Sequence, residues 1–262
     1  GLMADYAYYI LSGSAAGAVI AAFALGLLIT HQGSGIVNLA HGAVATWGGY
    51  VYADLRRGAY PWPVPGLPAR TDLGGDIGRW PSFALAVLTT TAIAVLLHRV
   101  VYRRLAHAPE LARVVAAIGV LVATMGIIGR RFGDDTGLRV DPILPRDPVR
   151  FSDTIVVSAD GLWLMAIVIA AAVTTAVVWR FPRFGLVVRA AASNAKGLVL
   201  LGRSPDVAAA ASFALAAASG AAVVILASPM VSLSATTFSF GFLVPALGAV
   251  LCGRFRSIPI TV

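Results

Sequence analysis

Two polar residues stand in an otherwise uncharged stretch near the start of the chain, within "GSGIVNLAHGAVATWGGY". Asn38 and His41 are three residues apart, and residues 32–53 contain no Asp, Glu, Lys or Arg. An imidazole can bind a metal or carry a proton, and both groups can hydrogen-bond a polar solute. On a helix, this spacing would place the two side chains close together on one face.

Catalytic and metal chemistry would need further residues that the sequence does not supply. The four histidines have no metal-ligand spacing with each other or with carboxylates. No apolar stretch carries a pair of carboxylates, as a proton relay would. The phosphate-loop pattern G-x-x-x-x-G-K-[ST] is missing, and the single lysine, Lys196, lies in "SNAKGL". The sequence therefore predicts a protein that is not an enzyme and that binds no metal or cofactor.

A second group of polar residues lies in "RFPRFGLVVRAAASNAKGLVLLGRSPD", residues 180–206. Arg189, Ser193 and Lys196 are spaced i, i+4 and i+7, which places them on one face of a helix. Gly202 is typical of a helix C-terminus, and the following Ser-Pro-Asp is typical of the start of the next helix. This amphipathic helix could rest on lipid headgroups or dock into an ATPase subunit, and both interpretations remain open.

The composition places these residues in a membrane protein. Of the 262 residues, 58% are hydrophobic and 12% are charged, and the mean hydropathy is +0.84. Soluble domains carry about 25% charged residues, so a chain this apolar could not cover its own surface in water. The net charge of +8 is assigned to arginines that face anionic lipid or a protein partner, and no nucleic-acid partner is expected.

Uninterrupted apolar windows predict an all-α, polytopic protein with about seven transmembrane helices, since crossing the hydrocarbon takes about 20 helical residues. Residues 207–253 carry no charge and are too long for one helix. Ser228-Pro229 divides them, because proline lacks the amide hydrogen that a helix interior needs. The predicted spans are residues 6–30, 32–53, 80–97, 114–129, 161–179, 207–227 and 238–252.

Basic residues are distributed unevenly between the two ends of these spans. One set of connecting segments holds eleven Lys or Arg and two acids, and the other holds nine basic and ten acidic residues. Because basic residues accumulate in cytoplasmic loops, we predict that the first set is cytoplasmic. The first set comprises residues 31–35, 99–113, 180–206 and 254–256, and the second comprises the N-terminus and residues 54–80, 130–160 and 228–237.

Small residues recur four positions apart in two of the predicted spans. Such residues let helix backbones approach closely in lipid, so we expect them to pack within the chain rather than between subunits. They are Gly13 and Gly17 in the first span, and Ala208, Ser212, Ala216 and Gly220 in the sixth.

Two motifs carry a family resemblance. The first is "IVNLAHGAVATWGGYV", whose residues 38–42 read N-L-A-H-G, and the second is "GLVVRAAASNAKGLVLLGRSPDVAAAASFALAAASGAA". Together with "RVVAAIGVL" at 113–121, they resemble the permease subunits of branched-chain amino acid ABC importers, and among these the member of the permease pair that bears N-L-A-H-G. The matching residues of the second motif are Gly185, Arg189, Ala190, Gly202, Phe213 and Gly220.

The resemblance implies one transmembrane permease domain over residues 1–262, with a cytoplasmic coupling segment at residues 185–204 that meets an ATPase through Arg189, Ser193, Lys196 and Gly202. It also implies a second permease subunit, two cytoplasmic ATPase subunits and an extracytoplasmic solute-binding protein, assembled in a bacterial cytoplasmic (inner) membrane. In two places the chain departs from the family pattern. Residues 193–196 stand where the family carries an acid, and the sequence stops at Val262, where relatives continue into a further helix. We expect residues 1–262 to lack that helix, either because the chain is truncated or because further chain, such as a fused second permease, is missing.

The predicted function is that of a permease subunit in an ATP-driven importer of branched-chain amino acids or related small polar solutes. The alternative is a secondary transporter or channel without ATPase subunits, against which stand the missing intramembrane carboxylates and inverted repeat.

Asn38 and His41 keep two interpretations. They either hydrogen-bond a neighbouring span and fix its packing, or line the translocation path beside an irregular turn at Gly33 and Gly35. In both cases the side chains should point into the protein, because an unpaired polar group facing lipid costs several kcal/mol.

Overall fold

The helices follow the apolar windows of the sequence, with connections that are mostly short. The computed structural model describes residues 2–64, 66–106, 108–133, 140–152, 155–180, 187, 195–200 and 202–255. A 3-10 turn covers Tyr102–Leu105, and a π-helical segment covers Thr237–Phe242. The α helices in this part of the chain are α1 (Leu2–Ser34), α2 (His41–Leu55), α3 (Arg79–Val100), α4 (Glu110–Phe132), α5 (Ala159–Arg180), α6 (Ala195–Leu200), α7 (Pro205–Ala227) and α8 (Leu243–Cys252).

Two short antiparallel hairpins lie in the connections after α2 and before α5. The first pairs β1 with β2, and the second pairs β3 with β4. Both hairpins belong to loops, so the architecture is all-α. The strands are β1 (Ala59–Pro61), β2 (Arg70–Asp72), β3 (Pro148–Ser152) and β4 (Ile155–Ser158).

Five helices among the described residues are long and apolar enough to cross a membrane, namely α1, α3, α4, α5 and α7. They coincide with five of the predicted spans, which confirms a polytopic, helical membrane protein. The other two predicted spans correspond to shorter apolar helices, α2 with 15 residues and the continuous segment Thr237–Cys252. A total of seven crossings therefore stays a prediction.

The second predicted span, residues 32–53, is wrong on its N-terminal side. Helix α1 continues through Ser34, and the chain leaves helical geometry at Gly35, whose φ is +69°. Residues 36–40 are not helical, and α2 begins only at His41. Hydropathy could not reveal this break, because it depends on a left-handed backbone conformation that glycine adopts without steric cost.

Helix α2 is the most enclosed element of the fold. All 15 of its residues are buried, and it packs against α1, α3, α7 and the π-helical segment. Over their apolar windows α1 and α7 are each 61% buried, whereas α4 is only 17% buried. The core is thus α2 enclosed by α7, α3, α4 and α1, and α4 turns most of its apolar surface outward.

Helix α7 begins and ends where the sequence predicts. The Ser204 hydroxyl accepts a hydrogen bond from the Val207 amide at 3.4 Å, and Pro205 occupies the first helical position. The helix stops at Ala227, just before Ser228-Pro229. A side-chain acceptor at the N-cap satisfies an amide that has no partner inside the helix.

The small residues of α7 pack within the chain, as expected. Ser212 and Ala216 are buried, and a Cβ atom added at Gly33 of α1 would overlap the Ser212 side chain. The same expectation is wrong for Gly13 and Gly17, which are exposed and have no described atom within 4 Å of an added Cβ. Close helix contact in this fold is therefore made by the sixth predicted span rather than by the start of the first.

Contacts between connecting segments divide the molecule into two ends. At the basic end, Arg113 donates to the Gly35 carbonyl at 3.3 Å, and Gln32 donates to the Phe255 carbonyl at 3.3 Å. At the mixed-charge end, the Arg131 guanidinium donates to the Val64 carbonyl at 2.6 Å. The two ends group the connecting segments as the predicted alternation of spans requires. The basic end comprises residues 31–40, 98–106, 108–113, 202–206 and 254–255, and the mixed-charge end comprises residues 54–64, 66–80, 130–133, 140–152 and 155–160.

Candidate functional site

The N-L-A-H-G motif forms a tight turn between α1 and α2. The amide of Gly35 donates to the His31 carbonyl at 2.8 Å, and the amide of His41 donates to the Asn38 carbonyl at 3.1 Å. Asn38 therefore precedes α2 and does not share a helical face with His41, which corrects the geometry predicted from their spacing. The two residues are joined instead through the backbone of the turn.

His41 lies in a notch made by two glycines on neighbouring helices. Its residue surface is 1% exposed, and its ring meets Phe23 of α1 edge-on at 5.4 Å between ring centres. A Cβ atom added at Gly220 of α7 would lie 2.8 Å from the His41 Cε1 atom, and one at Gly26 of α1 would overlap the ring. The imidazole thus occupies space that only glycine leaves open at these two positions.

The polar atoms of this imidazole are not all satisfied. Among the described residues, His41 Nε2 has no hydrogen-bond partner. The prediction that His41 points into the protein is confirmed, and its observed contacts are those of packing.

Asn38 is held by a hydrogen bond from another part of the chain. Its residue surface is 7% exposed, and the Tyr102 hydroxyl donates to Asn38 Oδ1 at 3.2 Å. Tyr102 is itself buried, and its ring lies 4.9 Å from the ring of Phe213 on α7. The inward orientation of Asn38 is confirmed. Its partner, 64 residues further along, could not be read from the sequence.

A polar cluster next to this tyrosine joins α3 to the start of α7. His98 Nε2 lies 3.2 Å from Asp206 Oδ1, and Arg103 Nε lies 3.5 Å from the same oxygen. A carboxylate oxygen can only accept, so the Nε2 of His98 carries the proton of this bond. Asp206 is predicted to lie at the start of a helix, but no signal in the sequence indicates these partners, since His98 precedes it by 108 residues.

The coupling residues predicted from the sequence are only partly visible. Arg189 and Ser193 lie outside the described residues, and Lys196 lies in α6. Gly202 ends that helix with φ +70°, its amide donating to the Val199 carbonyl at 2.9 Å while the Arg203 amide donates to the Leu198 carbonyl at 3.1 Å. This pair of bonds is a Schellman motif, which confirms the predicted helix end.

Helix α6 is seated on the start of α7. The side chain of Leu198 is buried against Ala208. Together with the Gly202 turn and the Ser204 cap, this contact fixes the direction in which the chain enters α7. The coupling segment is predicted to meet an ATPase. Its C-terminal end is therefore attached directly to α7, one of the long helices that enclose α2.

The mixed-charge end carries a buried carboxylate of α2. Asp54 is 1% exposed, and its Oδ2 accepts from Arg70 Nε of the β1–β2 hairpin at 2.6 Å. The Arg70 guanidinium also lies 5.5 Å above the ring of Phe132, which stacks on Tyr50 at 4.3 Å. At the mixed-charge end, one ion pair and a layer of aromatic rings thus cover the core.

No group of three or more His, Cys, Asp or Glu side chains within the described part of the chain could hold a metal ion. Five long apolar helices and a short enclosed one define a polytopic α-helical membrane protein. A family comparison matches residues 9–262 to the family described as branched-chain amino acid transport system, permease component, and the chain belongs to that family. Comparisons with curated proteins and with solved structures each found no match.

Proposed function

We propose that this permease is a subunit of an ATP-driven ABC importer for branched-chain amino acids or related small polar solutes. The observation that carries the proposal is the family match over residues 9–262, whose description names a permease component of a transport system. A component of a system works with other chains. The partners we propose are a second permease subunit, two cytoplasmic ATPase subunits and an extracytoplasmic solute-binding protein in a bacterial inner membrane.

The contact with an ATPase is assigned to the coupling segment, residues 185–204, through Arg189, Ser193, Lys196 and Gly202. Two features support this assignment. The segment's C-terminal end belongs to the basic end of the molecule, where the positive-inside rule places the cytoplasm. Its helix α6 is also joined to α7 by a rigid turn at Gly202 and a capped helix start at Ser204, so a displacement of the segment would be transmitted to α7.

Asn38 and His41 are assigned to the packing that fixes α2 beside the translocation path. The enclosure of His41 between Gly26 and Gly220 and the Tyr102 bond to Asn38 support the packing interpretation. A path residue in direct contact with solute would need an opening beside it, and the ring of His41 is 1% exposed on the described chain. We therefore propose that both residues act on the path through the position of α2.

The mixed-charge end is assigned to contact with the solute-binding protein. Its exposed arginines and aspartates, such as Asp76 and Asp141 near Arg56, offer both signs of charge to a soluble partner. Charges at the rim of an interface mainly raise the rate of association and fix its orientation.

The decisive experiment is uptake by the assembled complex in proteoliposomes. We expect radiolabelled leucine to accumulate only when ATP is present on the side of the basic end and the binding protein is present on the other side. The matched control is the same complex with an ATPase subunit that binds but cannot hydrolyse ATP, and it should accumulate no leucine.

Uptake that is driven by a proton or sodium gradient and that is unchanged without ATP would contradict the proposal. That outcome would identify the chain as a secondary transporter instead. Uptake of a different small solute in an ATP-dependent manner would retain the mechanism and replace the substrate.

A further inference from the structure

The start of α7 is anchored to the end of α3 by a single carboxylate. Asp206 Oδ1 contacts both His98 Nε2 at 3.2 Å and Arg103 Nε at 3.5 Å. The His98 side chain is 4% exposed and the Asp206 side chain is 34% exposed, so the pair lies at the edge of the core. Asp206 follows the Gly202 turn by four residues and is the second residue of α7.

A second contact between the same two helices lies beside this pair. The rings of His98 and Tyr102 lie 5.0 and 4.9 Å from the ring of Phe213 on α7. His98 and Tyr102 therefore both rest on Phe213 of α7, the helix whose second residue is Asp206. A shift of α7 relative to α3 would displace both rings.

Tyr102 continues the series of contacts to the N-L-A-H-G turn. Its hydroxyl donates to Asn38 Oδ1 at 3.2 Å, and Arg113 donates to the Gly35 carbonyl at 3.3 Å, so the turn is held near both of its ends. The Asn38 carbonyl in turn accepts from the amide of His41, the first residue of α2. Contacts thus lead from Asp206 to His98, from His98 to the Phe213 ring, from that ring to Tyr102, and from Tyr102 to the turn before α2.

We propose that Asp206 is a positioning residue that transmits movement of the coupling segment to the N-L-A-H-G turn through His98, the Phe213 ring and Tyr102. The inference rests on the proposed function, since the movement originates in nucleotide binding by the ATPases. Proximity alone does not establish coupling between two sites, so the test must measure a response at the turn to an event at the ATPase.

The reporter for the turn is a cysteine at Val37, which is half-buried, in a chain whose single cysteine is removed by Cys252→Ser. The complex with its ATPases is held in proteoliposomes, and the rate of maleimide labelling at position 37 is measured with and without ATP and vanadate. With Asp206 intact, we expect nucleotide to change this rate about fivefold, within the usual range of coupling between two sites.

The variants separate positioning from general damage. Asp206→Asn and His98→Gln should abolish the nucleotide response at position 37, and Asp206→Glu, which keeps the charge, should restore part of it. Arg104→Gln is the matched control, because Arg104 is exposed on the same 3-10 turn and has no ion pair among the described residues. It should leave the response unchanged.

Tyr102→Phe is a second variant that removes only the oxygen that reaches Asn38, and it should also abolish the response. It keeps the proposal testable if Asp206→Asn prevents assembly with the ATPases. A normal nucleotide response in assembled Asp206→Asn or Tyr102→Phe overturns the inference, as does ATP-dependent leucine uptake with no labelling change in the parent complex. Uptake that needs no ATP overturns the proposed function itself.

Discussion

The two ends of α2 are held in different ways. At the mixed-charge end, Asp54 is paired with Arg70, only 16 residues further along the chain. At the basic end, Asn38 is bonded to Tyr102, which is 64 residues away, and His41 fits between glycines of α1 and α7. At the mixed-charge end one contact comes from the hairpin that follows α2, whereas the contacts named at the basic end come from α1, α7 and the 3-10 turn.

The two ends therefore differ in what they need in order to form. We call the Asp54–Arg70 pair with the Tyr50 and Phe132 rings the clamp, and the contacts of Asn38 and His41 the junction. The Asp54–Arg70 pair and the stacked Tyr50 and Phe132 rings can form as soon as the β1–β2 hairpin lies over α2 and α4 is in place. The basic end requires α1, α3 and α7 together, so it responds to any change in their arrangement. The mixed-charge end is therefore held by a local clamp, and the basic end depends on how the helices are arranged.

The largest expected effect is at the glycine notch. Gly26→Ala would place a Cβ atom 2.7 Å from the His41 Cε1 atom and should destabilise the protein by about 3 kcal/mol, the upper part of the range for overpacked cores. Thermal unfolding in detergent measures the change. Gly119→Ala is the control, because nothing described lies within 4 Å of its added Cβ.

A second substitution tests whether the ring is the cause. In a double-mutant cycle, combining Gly26→Ala with His41→Ala should cost less than the sum of the two single changes, because the overlapping ring is gone. Additive costs would show that the notch does not hold His41 and would weaken the contrast between the ends.

An intermediate loss of stability is expected when the Asp54–Arg70 pair of the clamp is broken. Arg70→Ala leaves the buried Asp54 carboxylate without its partner and should lower the free energy of unfolding by about 2 kcal/mol. Arg57→Ala, at an exposed arginine of the same loop, should change it little. Adding Asp54→Asn to Arg70→Ala should recover part of the loss. Equal destabilisation by Arg57→Ala and Arg70→Ala would show that the ion pair does not hold the mixed-charge end.

The smallest effect is expected at the junction hydrogen bond. Tyr102→Phe removes one donor to Asn38 and should cost about 1 kcal/mol, the usual net value of such a bond. Tyr52→Phe is the comparison, because the Tyr52 hydroxyl is buried without a partner among the described residues and its removal should cost nothing. Equal destabilisation by the two variants in chemical unfolding would contradict the assigned role of Tyr102.

Much of the helical layout could be read from the sequence. The positions of α3, α4, α5 and α7 follow from apolar windows, and the start of α7 follows from Ser204-Pro205, because these signals act within a few residues. The break at Gly35 and the short α2 could not be read, since the window around them carries no charge to mark a boundary. The inward orientation of Asn38 and His41 followed from the cost of exposing polar groups to lipid.

The partners of these residues could not be read from the sequence. Tyr102 and Asp206 acquire their contacts only when α3 and α7 lie side by side, and no local pattern encodes a pairing across 108 residues. For the same reason, the spacing of Asn38 and His41 suggested a shared helical face that the turn does not provide. The sequence predicts Gly220 as a packing position but supplies no signal that the His41 ring is what packs against it.

Because α2 is enclosed by other parts of the chain, its length does not have to match the thickness of the bilayer. A helix of 15 residues rises about 22 Å, against about 30 Å of hydrocarbon, yet none of its residues is exposed at the surface of the chain. Hydrophobic mismatch therefore acts on α3, α4 and α5, whose apolar windows are 28% buried or less. A thinner or thicker membrane would tilt these outer helices first and would reach α2 only through the side chains that hold its two ends.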